Sequence, residues 1–277
     1  MKKIKAVLQK ALWESGKILS DAMRKPKKIR YKGRGNLVTE TDRFAEAKIV
    51  QIIKKHFPDH AILAEESASM VPVPKKTCPS DRPYAVPRLL RENRCQWIID
   101  PIDGTTNFAH GLPMASVSIG FEDRGTITMG GVWNPFLKEF FWAEKGKGAF
   151  LNGKRIFVSK TPKLAGSLLV TGFPYDRITQ ARHYLKIVEA FLTTGHGIRR
   201  LGSASLDLCY VACGRFDGYW ESKLMPWDQA AGYLIAKEAG AQITNFRGKS
   251  FSIYDKQILA TNGKIHGEML KVFSKFV

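Results

Sequence analysis

The run Gln96-Trp97-Ile98-Ile99 leads without a break into Asp100-Pro101-Ile102-Asp103-Gly104-Thr105-Thr106-Asn107-Phe108, and few folds can host that junction. A short, continuous apolar run reads as a strand buried on both faces. Pro101 lacks the N–H that a central ladder needs and biases Asp100 toward an extended conformation, so the chain is expected to leave the sheet at Asp100. Two carboxylates then flank a tight bend at the end of a buried strand. Ala61-Ile62-Leu63-Ala64 reads as a second buried strand, and it too ends in acids, Glu65 and Glu66.

Helices and a meander surround these strands. Ile4, Val7, Leu8, Ala11, Leu12, Ile18, Leu19 and Ala22 recur at helical spacing and predict an opening amphipathic helix that stops before Pro26. Leu37-Val38-Thr39 reads as a short strand, after which Thr41 or Asp42 is expected to cap a helix that ends at Pro58. Residues 67–94, rich in Pro and Arg, predict a long exposed loop. Residues 115–158 alternate apolar and polar side chains between Gly-containing turns, the pattern of an antiparallel meander. Beyond them, helical stretches near 181–192, 203–212, 228–239 and 264–276 alternate with short strands near 219–220, 241–244 and 258–261. The fold class expected is α/β, with an N-terminal α+β part over 1–158, a C-terminal α/β part over 159–277, and the site between them.

With 277 residues, 44% of them hydrophobic, the chain can bury one large core or two packed subdomains. It has no apolar run of about 18 residues and no signal-peptide stretch, so it reads as cytoplasmic and without a membrane partner. Cys78, Cys95, Cys209 and Cys213 form no paired Cys-x-x-Cys pattern and fit a reducing compartment; no chemistry is assigned to them. Lys and Arg number 44 against 25 Asp and Glu, a formal charge of +19 that favours anionic partners: phosphorylated metabolites, nucleic acid or acidic surfaces. The densest cationic run is Arg24, Lys25, Lys27, Lys28, Arg30, Lys32 and Arg34, with a second over residues 75–94; a solvated surface is the plainer explanation of both.

Hard carboxylate oxygens at a tight bend suit Mg²⁺, which takes a few carboxylates together with water and substrate phosphate. Gly104 lets the backbone approach a ligand, and the amides after it can cradle a phosphate if a helix or turn begins there. A capped turn would explain Asp-Gly-Thr alone, though not Glu65 at the end of another strand. A third element, Pro226-Trp227-Asp228-Gln229-Ala230-Ala231-Gly232, places Asp228 at a helix start, where, taken alone, an N-cap role explains it equally well.

Taken together, three motifs in this order resemble the inositol monophosphatase family of the lithium-sensitive, metal-dependent phosphatases: Ala64-Glu65-Glu66-Ser67, Asp100 to Phe108 continuing through His110-Gly111, and Trp227-Asp228 with Ala230-Ala231-Gly232. The resemblance spans nearly the whole chain. It implies a layered αβαβα sandwich, as in that family and the fructose-1,6-bisphosphatases, and a homodimer. It makes Glu65, Asp100, Asp103, Asp228 and the carbonyl of Ile102 ligands of two or three Mg²⁺ ions. Gly104 and Thr105 would contact phosphate, Asp42 would position Thr105 and the attacking water, and Ala204 and Glu221 would contact the polyol. Residues 67–94 look longer than the family pattern. His110 is left without a catalytic role.

The four acids and a phosphate monoester bring enough negative charge together to require cations. The expected activity is hydrolysis of a small polyol or sugar phosphate, with myo-inositol 1-phosphate foremost. A fructose-1,6-bisphosphatase or dual-specificity sugar phosphatase is the nearest alternative, and a basic RNA-associated protein is the alternative of another class. The cationic run contains only Tyr31 as a stacking aromatic, which leaves nucleic acid as a secondary partner.

Overall fold

Apolar side chains every three or four residues give helix α1 (Lys2–Ala22) one buried face, formed by Ile4, Val7, Leu8, Ala11, Leu12 and Leu19. A hairpin of β1 (Ile29–Gly33) and β2 (Asn36–Thr39) then leads into α2 (Glu40–His56). The computed structural model describes residues 1–25, 29–33, 36–68 and 95–276. The second basic stretch and all of the expected 67–94 loop except Ser67 and Ala68, which belong to a short helix, lie outside the described residues.

Seven strands form the first sheet in sequence order: β3 (Ala61–Ala64), β4 (Cys95–Asp103), β5 (Ser116–Asp123), β6 (Thr126–Asn134), β7 (Glu139–Glu144), β8 (Gly148–Leu151) and β9 (Lys154–Ile156). The β3–β4 pair is parallel and the remaining pairs are antiparallel. Short helices α3 (Glu65–Ala68) and α4 (Thr105–Ala109) follow β3 and β4. A second sheet has the order β11-β10-β12-β14-β13, built from β10 (Leu168–Thr171), β11 (Gly197–Arg199), β12 (Gly218–Ser222), β13 (Gln242–Thr244) and β14 (Gln257–Thr261). Helices α5 (Arg177–Leu192), α6 (Ala204–Ala212), α7 (Pro226–Glu238) and α8 (His266–Phe273), with a 3-10 turn over Leu164–Gly166, complete the described elements.

Three apolar cores stack these elements into five layers, as the family resemblance implies. Leu12 of α1 and Ile49 of α2 meet Trp97 and Ile119 on the outer face of the first sheet. Leu206 of α6 and Ile235 of α7 lie between the sheets, against Val132 and Phe141 on one side and Tyr219 and Ile258 on the other. Phe191 of α5 and Phe273 of α8 cover Trp220 on the outer face of the second sheet. Burying each of these side chains is worth roughly 1.5–3 kcal/mol. Among the described residues, no helix is long and apolar enough to cross a membrane.

Helix α7 sits unusually close to the first sheet. Gly120 and Gly130 face each other across β5 and β6, and a Cβ on them would meet Ala230 at 2.9 Å and Ala231 at 3.0 Å. The absent side chains let the start of α7, with Asp228, come up beside the end of β4.

Three local expectations are corrected. Strand β4 does not end at Asp100: Asp100 pairs with Ser118 and Asp103 with Ser116, so an extra residue is absorbed in a bulge. Pro101 falls in that bulge, where a missing N–H breaks no ladder bond. Neither Thr41, Asp42 nor Asp228 is an N-cap. Thr39 and Met225 occupy those positions, and the two acids sit at the third helical residue, folding back on the caps. Strands β1, β10 and β11 were not anticipated, because segments of three to five residues carry too little alternation to register.

Candidate active site

The ends of β3, β4 and β12 and the starts of α4, α6 and α7 converge on one cleft of about 720 Å³. Glu65, Asp100, Ile102, Asp103, Gly104, Thr105, Ala204, Glu221 and Asp228 all line it. Of the residues singled out in the sequence, only Asp42 lies behind the lining, and Thr105 connects it. Exposed His110 is not part of the lining.

Asp42, Asp100 and Asp228 are each tied to the backbone near their own element. Asp42 Oδ2 accepts from Thr39 N at 2.7 Å and Thr39 Oγ1 at 2.6 Å. Its Oδ1 lies 3.2 Å from Thr105 Oγ1, which is also 2.9 Å from the carbonyl oxygen of Ile102. Asp100 Oδ1 accepts from Ile102 N at 3.0 Å, bracing the bulge, and Asp228 Oδ2 accepts from Met225 N at 2.7 Å. Glu46 Oε2 accepts from Glu66 N at 2.8 Å and so secures the start of α3, where Glu65 stands. Gly104 adopts φ +90°, and a Cβ there would meet the carbonyl of Met114 at 2.7 Å. Only glycine suits this turn.

Burial raises the carboxyls of Asp100 and Asp228 well above the usual carboxylate range, and repulsion from Glu65 and Asp103 raises both further. Asp103 is raised by burial too, with Ser205 and Ser203 opposing through hydrogen bonds. The donor set is hard oxygen throughout, and a cation is what would hold it ionised, so the residues fit Mg²⁺. Among the described residues, no group of three or more His, Cys, Asp or Glu side chains stands close enough together to hold a metal ion as it is. Glu65, Asp100, Asp103 and Asp228 instead share the lining of one cleft.

On the far side of the cleft, Glu221 accepts from Tyr219 Oη at 2.8 Å. Lys223, two residues along the chain, pairs with Asp176. A Cβ on Gly172 would stand 2.1 Å from a Glu221 carboxylate oxygen, so the carboxylate rests directly on that glycine. Burial pushes Glu221 up to about 7, while the Tyr219 hydrogen bond and Arg200 pull the other way.

Sequence reasoning missed Tyr175, Arg177, Arg200 and Ser203 on the lining, and Ser205 behind it. Arg200 and the two serines stand within four residues of Ala204, so the segment that flagged Ala204 held the signal for them. Tyr175 and Arg177 carry no local motif. Cys95, Cys209 and Cys213 are free thiols away from the cleft.

The sequence profile of the inositol monophosphatase family matches residues 1–276. An inositol-1-monophosphatase of Synechocystis sp. is 48% identical over 247 residues, covering 88% of this chain and 79% of that protein. A Nus factor SuhB of Vibrio cholerae is 39% identical over 255 residues, covering 91% and 89%. Among solved structures, an inositol monophosphatase from Anabaena (Nostoc) sp. superposes with a TM-score of 0.83 at 36% identity, covering 100% of this chain and 97% of that one. Matched along nearly its whole length in sequence and in fold, the chain is a phosphatase of the inositol monophosphatase family.

Proposed function

We propose that the protein hydrolyses the phosphate monoester of a small polyol or sugar in a Mg²⁺-dependent reaction, with myo-inositol 1-phosphate the foremost substrate. The observation that carries this reading is the cleft itself, where Glu65, Asp100, Asp103 and Asp228 face one space and Glu221 borders it. Those four side chains and the Ile102 carbonyl would hold the metal. When bound, Mg²⁺ would supply charge neutralisation for the phosphate and a lowered pKa for a coordinated water.

The chain's own groups do the rest. The amides of Gly104 and Thr105 would orient phosphate oxygens. The Thr105 hydroxyl, between Ile102 O and Asp42 Oδ1, would align an attacking water and pass its proton toward Asp42. Glu221 and the backbone at Ala204 would accept and donate hydrogen bonds to the polyol. The reading includes a homodimer in the cytoplasm, as the family resemblance implies.

Phosphate release from inositol 1-phosphate, glycerol phosphate and fructose 1,6-bisphosphate, with and without Mg²⁺, tests it. Inositol 1-phosphate should give the highest kcat/KM and release should stop without metal. A preference for the bisphosphate would replace the substrate assignment with the fructose-1,6-bisphosphatase reading, and metal-independent release would sink the mechanism.

A second reading draws on the charge of +19 and on relatives described as Nus factors. In it, the basic surface binds RNA alongside the phosphatase activity. Salt-sensitive RNA retention that survives Asp103→Asn would support it, and no retention at 50 mM salt, roughly the low end of the usual range, would remove it.

A further inference from the structure

One oxygen of Asp103 is held by three donors from a single place, the start of α6. Asp103 Oδ2 accepts from Ser203 Oγ at 2.7 Å, Ser205 N at 2.7 Å and Ser205 Oγ at 2.5 Å. A fourth group stands behind them: Ser116 Oγ is 2.9 Å from Ser205 Oγ. The single hydroxyl proton of Ser205 is committed to Asp103, so Ser116 donates and Ser205 accepts. Ser116 is also the β5 residue paired with Asp103 across the sheet. The relay therefore closes a triangle of β4, β5 and α6, with all four side chains buried.

Three donors on an ionised oxygen are short, charge-assisted bonds, and together they occupy Oδ2. The Ala204 N–H also favours the ionised carboxylate, which leaves Oδ1 the less encumbered oxygen for a ligand. A carboxylate fixed this way cannot rotate to offer both oxygens, so it would bind a cation through one atom in one orientation. Groups that hold a metal-binding side chain from behind typically govern affinity as well as geometry.

Resting on the metal-site reading above, we propose that Ser203 and Ser205 are positioning residues that hold Asp103 so that Oδ1 is its cation-binding oxygen. Ala204, between them, lines the cleft. One helix start thereby sets the metal-side acid and the substrate-side backbone together. A rotation of α6 would disturb both at once.

Calorimetric titration of the metal-free protein with Mg²⁺, without substrate, tests this in the parent, Ser203→Ala, Ser205→Ala, the double variant and Ser203→Thr. The Mg²⁺ dissociation constant should rise about 10-fold in each single Ala variant and up to about 100-fold in the double one. Ser203→Thr keeps a hydroxyl at the N-cap and should bind within about twofold of the parent, a rescue that a purely structural role would not require. Thermal unfolding without metal identifies the folded variants, and Ser203→Ala alone decides the matter if the others do not fold. Folded Ala variants binding Mg²⁺ as tightly as the parent would overturn the inference while leaving the metal site standing. A parent that takes up no Mg²⁺ would overturn the metal-site reading and this inference with it.

Discussion

Thr105 Oγ1 lies 3.2 Å from Asp42 Oδ1, joining the first turn of α4 to the first turn of α2 across 63 residues of sequence. The same hydroxyl stands 2.9 Å from the carbonyl of Ile102, so it sits between an acid and a proposed metal-binding oxygen. Asp42 cannot turn away, because its other oxygen is occupied by the backbone and hydroxyl of Thr39. The pair is thus rigid from the Asp42 side and adjustable only at Thr105.

Thr105→Ala should accordingly lower kcat by on the order of 10² or more, the usual contribution of a positioned proton acceptor and its partner. Thr105→Ser should retain most of the activity. Steady-state kinetics on inositol 1-phosphate, with melting temperatures as a control for folding, separate the two. Equal losses in both variants would show that the methyl group matters rather than the hydroxyl.

Asp103→Asn removes one charge from the cleft and should cut turnover by on the order of 10³. The fold should survive, since the amide keeps an oxygen for the serines of α6 and mutual repulsion with Asp100 falls. Retention of a tenth of parental activity would end the assignment of Asp103 to the metal site. Ca²⁺ should substitute poorly for Mg²⁺ in the parent because its looser coordination misplaces the water. Lithium should inhibit, as the family resemblance implies.

Substrate discrimination should depend on Glu221 and, through it, on Gly172. Glu221→Gln is expected to narrow the kcat/KM ratios among inositol, glycerol and sugar phosphates by roughly 10-fold or more, as for loss of a charge-assisted hydrogen bond. Mg²⁺ dependence should stay as it was. Gly172→Ala should do the same by displacing the Glu221 carboxylate, which a Cβ there would approach within 2.1 Å. Unchanged ratios in both variants would mean that Glu221 does not read the polyol.

Glu221 also makes a signed prediction about stability. Its carboxyl is raised from 4.5 to about 7 in the folded protein, chiefly by burial. The folded state therefore holds this proton more tightly than the unfolded chain. The favourable contribution is complete below about 4.5 and is lost as pH rises through about 7. Glu221→Gln should match the parent near pH 4.5 and be more stable at pH 8, by on the order of 3 kcal/mol at most. Denaturant titrations at the two pH values measure the difference, and a variant less stable than the parent at pH 8 would contradict it.

The acids of the cleft were legible because their signals are local. A buried apolar strand followed by Asp-Pro-Ile-Asp-Gly-Thr, and a short apolar strand followed by two glutamates, announce strand ends that carry carboxylates, although the second, β3, is a half-buried edge strand and not the buried one its sequence suggests. Amphipathic period did the same for α1 and α2, each of which buries one face, whereas α6 is buried along its whole length. What no window of sequence contains is the partner of each acid. Asp103 meets Ser203 and Ser205 from positions 100 and 102 residues away, and Glu221 rests on Gly172 from the neighbouring strand. Those pairings depend on how closely the layers approach. Gly120 and Gly130 allow α7 to lie almost on the sheet backbone, and that short distance brings Asp228 to the end of β4. Close approach is a property of two surfaces in contact, so it was decided only when both had folded against each other.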